Sequence, residues 1–542
     1  MGDNALSEVA WIHRQDGRAT VRDTLLNAHK PDCKLDLSLP GFAVSSQLRI
    51  LTHVLAVTFR HLEHTSGEAR YKQVIHILEN GIPAGAVDGA IADLDAGAHL
   101  FNPVHPFLQR PPLPEQKKND TGRRIGPNND PVTKLLPSKL SEEGKDFWNL
   151  GFAGTGRLPL HEAVLHIAVF YCFYPAENTR YDGDKCEMGA PGFRFVGKDN
   201  TATEVVWWGE TLLETLFYMT PSSWVAGAGL PAWADRTGTQ SQEDNDMHPL
   251  WKASWSSNSA VCCWEEGELA GVRRGGVPSN WLPRGVAKGT GKEAKDSRKA
   301  WWDLRNLSDP FYLYRDGKMV RVDFGRDATQ LAVEWAANLN ISLAREHART
   351  SILIPGSTLL ASDPRLMFIR HQIGGEPGSL SIRASSVFMP DDSVWSFNLG
   401  EEFVEAVADE AKFIQSLLKF VVAPFRRPGA GDRQAAAKNQ VPNVLDPLKN
   451  QRADAASAFW RSIHDVYADL IAATQDGLEI PPEVYWRGRD AALAAFDFVT
   501  TPHIGQYPAQ ISHSRSRLDS LLRGLVNQRI SPVNASEGDD DE

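Results

Sequence analysis

The stretch RLMFIRHQIGGEPGSLSIRASSVFMP, residues 365–390, is the point around which the chain is organised. Its two arms are rich in β-branched and aromatic residues, and GGEPG lies between them at residues 374–378. Apolar arms around a segment of Gly and Pro predict a β-hairpin. Arg370, His371 and Arg383 place positive charge on the arms. An ordinary surface hairpin would show the same pattern, so its use depends on the rest of the chain.

The hairpin separates two kinds of sequence. Residues 1–393 mix predicted strands, loops and helices, whereas residues 394–530 carry apolar side chains at helical spacing in four successive segments. We therefore predict an α+β protein, with a large irregular mixed α/β domain over 1–393 and an antiparallel four-helix bundle over 394–530. Residues 531–542 end in EGDDDE, which predicts a disordered acidic tail.

Composition limits the kind of protein. The 542 residues are 42% hydrophobic, with a net charge of −11 and a pI of about 5.8, so any nucleic-acid contact must use a local basic patch. The five cysteines form no C-x-x-C pair, which indicates free thiols in a reducing cytosol. We expect no secretory signal, because residues 1–10 are polar and acidic, and no membrane span, because no stretch is apolar for long enough. Sixteen tryptophans favour broad apolar contacts or a large irregular core.

Local patterns predict the first elements. Asp16-Gly17 and Asp316-Gly317 are each typical of a hairpin turn. Ser45 is a candidate N-cap for a helix whose apolar residues at 48, 51, 55, 59 and 62 share one face.

One segment reverses the charge of the chain. Residues 271–305 contain nine basic residues and three acidic ones, with glycines at 285, 289 and 291. Such a run suits contact with phosphate groups. A solvated basic loop would have the same composition. The candidate phosphate contacts, with two from the hairpin arms, are Arg273, Arg274, Lys295, Arg298, Lys299, Arg370 and Arg383.

Catalytic motifs are incomplete wherever they begin. HEAVLH at 161–166 spaces its histidines five apart, which places them on different helix faces and prevents a shared zinc ion. GVAKGTGKE at 285–293 imitates a phosphate-binding Walker loop, but its spacing is wrong and Glu293 replaces the required Ser or Thr. We expect no catalytic residue, metal or cofactor. An enzyme, such as a hydrolase, whose site is assembled from distant residues is the alternative.

An ordered set of segments carries a family resemblance. It comprises Trp11-Ile12, LSLP at 37–40 before the apolar helix, HPFLQ at 105–109, APGF at 190–193, the hairpin and the C-terminal helical segments. Their order and spacing resemble CasA, the large subunit of the type I-E CRISPR Cascade surveillance complex, over nearly the whole chain.

The resemblance implies a non-catalytic subunit that recognises the protospacer-adjacent motif (PAM) in double-stranded target DNA. It would help to melt the duplex for guide RNA pairing and R-loop formation, and would recruit a helicase–nuclease. Its other partners would be the guide RNA-bearing Cascade backbone and the small subunits, in the cytoplasm and away from membranes. The large subunit of another type I subtype, with a different PAM reader, is the alternative.

Two loops take roles from the resemblance. A family glycine loop approaches the minor groove of the PAM duplex, where a backbone without side chains can reach base edges. Here Arg194, Phe195 and Val196 replace consecutive glycines, so either the PAM readout differs or the contact shifts to 189–192. A second loop would contact the guide-bearing backbone, unless it is only a linker before a helix. The candidates are Gly189, Gly192, Phe193, Arg194, Phe195 and Lys198 for the first loop, and Phe152, Gly154 and Arg157 for the second.

The basic run and the hairpin also acquire roles. A family lysine that reaches the PAM comes from the run, and both Lys288 and Lys292 are candidates. The family hairpin is a wedge whose tip enters the duplex beside the PAM. Here the tip is Gly375-Glu376-Pro377, without the glutamine associated with the wedge. Proline can serve instead as an apolar wedge between base steps.

Overall fold

The computed structural model describes two compact units. The first comprises Met1–Val322 with Arg345–Met389, and the second comprises Asp323–Ala344 with Pro390–Glu542. Residues 323–344 thus join the second unit, whereas the sequence analysis places them in the domain over 1–393; the boundary at 393 stays a prediction. The described residues are 2–62, 68–111, 131–135, 156–174, 180–181, 184–185, 188, 201–243, 246–275, 277–286, 291–323, 325–354, 364–374, 381–390, 392–395, 400–430, 432, 437–438, 441 and 443–530.

The predicted α+β class is confirmed. The strands are β1 Ile12–Arg14, β2 Gly17–Ala19, β3 Leu158–Pro159, β4 Arg180–Tyr181, β5 Asp184–Lys185, β6 Thr201–Trp208, β7 Gln242–Glu243, β8 Asp246–Met247, β9 Ser259–Glu265, β10 Glu268–Gly275, β11 Tyr314–Arg315, β12 Lys318–Met319, β13 Arg365–Gly374 and β14 Ser381–Phe388. The helices are α1 Val21–Asn27, α2 Gly41–Thr58, α3 Glu68–Asn80, α4 Ala84–Leu94, α5 Leu160–Phe173, α6 Leu212–Met219, α7 Ser222–Val225, α8 Pro249–Ser254, α9 Lys292–Leu307, α10 Ala328–Ala337, α11 Asn340–Ala348, α12 Asp392–Trp395, α13 Val404–Val422, α14 Arg452–Gln475, α15 Pro482–Thr500 and α16 Pro508–Ile530.

The predicted hairpin is present as β13 and β14, and its base is part of the core. β13 is the central strand of an antiparallel sheet with the order β14-β13-β6. Ile369 opposes Val387 on one side and Glu204 on the other. Leu366, Met367, Phe368 and Ile369 are all fully buried, so this part of the strand is covered on both faces. An ordinary surface hairpin would not bury consecutive residues in this way.

Helix α2 lies under this sheet and is buried along its whole length. It begins at Gly41, five residues before the start predicted after Ser45, because the Ser385 hydroxyl of β14 accepts a hydrogen bond from the Phe42 N–H at 2.8 Å. A cap that comes from 343 positions away leaves no local signal. The segment Gly41–His61, with a mean hydropathy of 1.3, is long and apolar enough to cross a membrane, so the expectation that no stretch qualifies was wrong. Its apolar window is entirely buried, as in the core helix of a globular protein.

The two predicted turns have different outcomes. β11 and β12 are joined by Asp316 and Gly317, so the predicted turn is present, and both residues have the positive φ that a type I′ turn requires. Between β1 and β2, Arg14 opposes Gly17, so the connecting residues are Gln15 and Asp16. The prediction of Asp16-Gly17 was therefore one residue out of register.

Tryptophan side chains fill much of the first unit. The Trp255 ring centroid lies 5.1 Å from that of Trp301, and the rings of Trp301 and Trp302 are 5.0 Å apart. Trp251 and Trp281 belong to the same buried cluster. The high tryptophan count therefore supplies the large irregular core that the composition suggested.

The second unit contains the predicted four-helix bundle, formed by α13, α14, α15 and α16. The bundle core takes one apolar face from each helix, and Gly488 of α15 allows close packing: a Cβ atom there would lie 3.2 Å from a methyl carbon of Leu417. Helix α10 also packs in this unit, and its Trp335 ring lies 6.1 Å from that of Trp395.

Candidate nucleic-acid interface

Twelve of the predicted site residues lie outside the described residues. They are Gly189, Gly192, Phe193, Arg194, Phe195, Lys198, Lys288, Gly375, Glu376, Pro377, Phe152 and Gly154. The remaining candidates occupy helix α9, strand β10, the residue before β3 and the two hairpin arms.

Helix α9 carries a row of exposed lysines. Lys292, Lys295 and Lys299 follow one another at spacings of three and four residues, so they lie along one side of the helix, where Asp296 and Asp303 are exposed beside them. The opposite side is buried through Trp301 and Trp302. This part of the run is therefore a helix and not a loop, and its contact with phosphate stays a prediction. Arg298 lies on the buried face, so its predicted contact with phosphate does not fit this position.

A groove adjoins the C-terminal half of α9. Its volume is about 740 Å³, and the hairpin of β11 and β12 forms the other wall. Lys299, Lys318 and Arg321 line it together with Asp303, so cationic side chains exceed acidic ones. Tyr314 adds an aromatic ring. A basic groove with an aromatic side chain suits a nucleic-acid strand, because phosphates and base faces can both find partners.

Sequence reasoning missed the second wall of this groove. Lys318 and Arg321 lie beyond the basic run, in a hairpin that was recognised only for its turn. The one local signal was a set of basic residues at 315, 318 and 321 on either side of Asp316-Gly317. Their proximity to α9 depends on tertiary packing, which no local pattern reports.

Both arginines of β10 contact other parts of the protein, Arg274 through its side chain and both through their backbone carbonyls. The Arg274 guanidinium donates a hydrogen bond to the Tyr174 hydroxyl and lies 5.1 Å from the centre of the same ring. The backbone carbonyls of Arg273 and Arg274 accept hydrogen bonds from the buried Arg110 at 3.3 Å. Both side chains are half-buried, so they are weaker phosphate candidates than the exposed lysines of α9.

Arg157 is held at the protein surface by acidic neighbours. Its guanidinium donates to a Glu265 carboxylate oxygen at 2.6 Å, and Glu266 lies 3.9 Å away. Arg157 is 44% exposed and Glu265 50% exposed, so water weakens this attraction and the arginine can exchange partners. Contact with the guide-bearing backbone stays a prediction for this residue.

The hairpin arms present two different arginines. Arg370 is half-buried on β13 and opposes Ser386, whereas Arg383 is exposed on β14. Ala384 opposes Gln372 and Ile382 opposes Ile373, so Arg383 is the extra residue of a β-bulge. Bulges re-aim side chains near sheet edges, and no local pattern in the sequence predicts this one.

The sequence suggested that His371 is one of the positive charges on the hairpin arms. In the structure it is buried instead. It is 1% exposed. Its ring nitrogens lie 2.9 Å from the Ser385 hydroxyl and 3.1 Å from a Glu204 carboxylate oxygen. Alternation along β13 explains the difference, since adjacent residues of a strand face opposite sides of the sheet.

Metal binding has no support in the described part of the chain. Within those residues, no group of three or more His, Cys, Asp and Glu side chains is arranged to hold a metal ion.

The sequence pattern of the CRISPR-associated protein Cse1 family matches residues 6–336, which is more than half of the chain. The chain belongs to the Cse1 family. The resemblance to CasA is thereby confirmed, and the matched region includes α9 and the groove. No curated protein matches the sequence.

Solved Cse1 structures share the fold over almost the whole chain. CasA (Cse1) of Thermus thermophilus is 16% identical, with a TM-score of 0.54, over 97% of this chain and 100% of that one. Cse1 of Thermobifida fusca is 13% identical, with a TM-score of 0.55, over 97% and 98%. A chain of a CRISPR RNA-guided surveillance complex is 16% identical, with a TM-score of 0.56, over 96% and 100%. The hairpin and the bundle lie beyond residue 336, so these likenesses extend the comparison to them at the level of fold.

Proposed function

We propose that the protein is the non-catalytic large subunit of a Cascade antiviral surveillance complex in the cytoplasm. It recognises a PAM in duplex DNA, opens the adjoining base pairs for pairing with guide RNA, and takes part in recruiting the helicase–nuclease after R-loop formation. Membership of the Cse1 family supports the assembly and favours the type I-E interpretation over another type I subtype.

The groove beside the lysine row of α9 is the observation that carries the DNA-binding part of the proposal. Its lining holds Lys299, Lys318 and Arg321 against Asp303, which is a local excess of positive charge in a chain whose net charge is −11. Phosphate contacts of this kind supply affinity and orientation, whereas base contacts supply sequence preference. Lys292 is the described candidate for the lysine that reaches the PAM. Lys288 and the glycine loop at 189–198 remain proposals from the resemblance.

The hairpin is proposed as the wedge. Its base is anchored in the core, so force on the tip is resisted by a packed sheet. Unstacking a base step costs a few kcal/mol, and the new RNA–DNA heteroduplex offsets most of the cost of opening the duplex. A wedge is therefore needed chiefly to open the first base pairs, before the RNA–DNA heteroduplex begins to replace the DNA duplex.

Purification tests the assembly. We expect the tagged protein, expressed with its neighbouring subunits, to copurify with a guide RNA and several other proteins. We also expect the isolated protein to hydrolyse neither ATP nor DNA, because the nucleotide and metal motifs are incomplete. An RNA-free protein with metal-dependent nuclease activity, after a contaminant control, would support the hydrolase alternative.

Salt dependence tests the α9 face. Replacing Lys292, Lys295 and Lys299 with Ala should weaken binding of the assembled complex to matched DNA. The slope of log K against log salt should fall by about 0.9 for each phosphate interaction that the substitutions remove. The matched control replaces Lys30, Lys419 and Lys449, which are exposed on other elements, and changes the net charge equally. Equal effects of the two triple variants would contradict a role for the α9 face.

A tip substitution tests the wedge. Replacing Gly375-Glu376-Pro377 with Ala-Ala-Ala should leave assembly intact and slow R-loop formation on a fully paired target. A target already unpaired beside the PAM should rescue the variant, because the melting cost has been removed. Equal defects on both targets would show that the tip supplies affinity or folding, and not strand separation.

A further inference from the structure

A chain of buried charges runs through the first unit beneath the hairpin. At its centre, Arg49 of α2 donates to a Glu204 carboxylate oxygen at 2.6 Å and to both Asp309 oxygens at 3.1 and 2.9 Å. Arg305 of α9 donates to Asp309 at 2.9 Å and to the Ala253 carbonyl at 2.6 Å. The basic helix is thus joined to the sheet by a continuous series of charged hydrogen bonds.

The series of hydrogen bonds continues from Glu204 into both arms of the hairpin. Glu204 accepts from His371 Nε2 on β13, and His371 Nδ1 lies 2.9 Å from the Ser385 hydroxyl on β14. Ser385 in turn accepts the Phe42 N–H at the start of α2. Helices α2 and α9, both hairpin arms and the third strand of the sheet therefore share one network.

The chemistry of the partners fixes two of the hydrogen-bond directions. A carboxylate accepts, so His371 Nε2 donates to Glu204. The Ser385 oxygen accepts the Phe42 N–H, and the same hydroxyl forms a hydrogen bond with His371 Nδ1. Each of these polar groups has a partner, and each bond specifies the orientation of the next side chain.

The complete series of buried charged side chains is stable because its charges balance. Two guanidinium groups face two carboxylates, and all four side chains are at most 8% exposed. Burial alone raises the pKa of Glu204, but the Arg49 charge and the hydrogen bonds from His371 and Arg49 outweigh it and lower the pKa. Both carboxylates stay ionised, because the pKa of Asp309 is lowered in the same way by Arg49 and Arg305 against its burial.

Close backbone packing reinforces the same junction. A Cβ atom on Gly41 would lie 2.6 Å from the Ile369 Cγ2 of β13 and 2.8 Å from the Ser385 hydroxyl of β14. The start of α2 therefore sits against both hairpin arms at a distance that only glycine permits.

We propose that this network positions the hairpin, with Ser385, His371 and Glu204 as positioning residues that hold both arms on α2 so that the tip meets the duplex in a fixed orientation. The proposal rests on the strand-separating function proposed above for the tip. It assigns a role to side chains within the sheet, of which Glu204 and His371 are buried and Ser385 is half-buried.

Ser385→Ala tests the proposal, and Ser386→Ala is its matched control. Ser386 is the same residue type, adjacent on β14 and exposed. In the free protein, we expect hydrogen exchange of peptides from β13 and β14 to be about tenfold faster in Ser385→Ala, because the substitution removes a hydrogen-bonded partner of a buried group. Ser386→Ala should exchange like the wild type.

A second pair of variants tests the contact between the start of α2 and the hairpin arms. Gly41→Ala should loosen the same strands, whereas Gly85→Ala adds a Cβ to a site in α4 with open space around it. In the assembled complex, Ser385→Ala and Gly41→Ala should slow R-loop formation about three- to tenfold on a paired target, and much less on one opened beside the PAM. A purely structural role would lower both equally.

Each outcome decides a separate point. Unchanged hairpin exchange in both Ser385→Ala and Gly41→Ala would overturn the positioning role. Faster exchange with normal R-loop formation would also overturn it, provided that the tip variant has a selective defect on paired DNA. If the tip variant lacks that defect, the strand-separating function itself fails, and the positioning role fails with it.

Discussion

Glu204 of the first unit and Glu410 of the second are both buried glutamates, yet their surroundings act in opposite directions. Glu204 is fully buried and accepts charged hydrogen bonds from Arg49 as well as one from His371. Glu410 is 6% exposed, accepts from the Tyr485 hydroxyl at 3.2 Å and lies 3.5 Å from Arg529. Its second carboxylate oxygen is buried without a hydrogen-bond partner among the described residues.

The pKa values follow this difference. The pKa of Glu204 is lowered although burial opposes the change, since a guanidinium lies in direct contact. The pKa of Glu410 is raised by burial, which the more distant Arg529 and the Tyr485 hydrogen bond do not overcome. Burial therefore does not decide whether a glutamate carries charge; the number and distance of its partners do.

Glu204→Gln should reduce stability more than any other substitution of these glutamates. The neutral amide leaves the buried guanidinium pair facing one carboxylate, and breaking a buried ion pair in this way costs about 3–5 kcal/mol. We expect the backbone amides of β6 and β13 to lose their protection from hydrogen exchange at a lower urea concentration than in the wild type. Unchanged exchange would show that the network does not stabilise the sheet.

Acidification should reduce that effect. Because the pKa of Glu204 is lowered on folding, its ionised form stabilises the protein above the unfolded pKa near 4.5, and this contribution is lost as pH falls further. The stability gap between the wild type and Glu204→Gln should therefore narrow below about pH 5. Urea titrations of β6 exchange at pH 7 and at about pH 3.5 measure it, and a gap that widens would contradict the assignment.

Glu410→Gln should increase the stability of the bundle at neutral pH, whereas Glu204→Gln should decrease that of the sheet. Because the pKa of Glu410 is raised on folding, its ionisation destabilises the bundle as pH rises through 4.5. The amide keeps an acceptor for Tyr485 and removes the charge, so we expect a gain of up to about 1 kcal/mol at pH 7. Exchange of α15 peptides in urea measures it. A loss at pH 7 would mean that Arg529 stabilises the carboxylate more than burial opposes it.

Glu265→Gln should have the smallest effect. The Arg157–Glu265 distance is 2.6 Å, the same as that of Arg49–Glu204, but both side chains are exposed. Exposed ion pairs contribute about 0–1 kcal/mol, and salt screens them. The urea midpoint of β9 and β10 should therefore barely move. An effect as large as that of Glu204→Gln would show that distance, and not burial, decides the strength of these pairs.

The sequence predicted the parts of the candidate site that depend on local chemistry. The hairpin and the basic run were both recognised, because alternation, glycine and charge are local features. Within the run, the division into exposed Lys295 and buried Arg298 could not be predicted. It depends on which side of α9 meets the tryptophan core, and both residues are equally basic in the sequence.

Groups that meet across long distances in the chain were also missed. His371 looked like part of a positive hairpin arm, but its partner Glu204 is 167 positions away. Likewise, Ser385 caps α2 from the far end of the first unit, so the start of that helix was placed too late. In each case the deciding contact has no signature near the residue itself.

By itself, the sequence determined the α+β class, the helical C-terminal region, the hairpin turn at Asp316-Gly317 and the family resemblance. These follow from periodicity, from the preference of Asp-Gly for hairpin turns, and from the order of short segments. Only the tertiary structure decided that β6 pairs with β13, that Lys318 joins the α9 groove, and that Arg49 bridges two carboxylates. Burial turns those contacts into strong interactions, and burial is a property of the folded core.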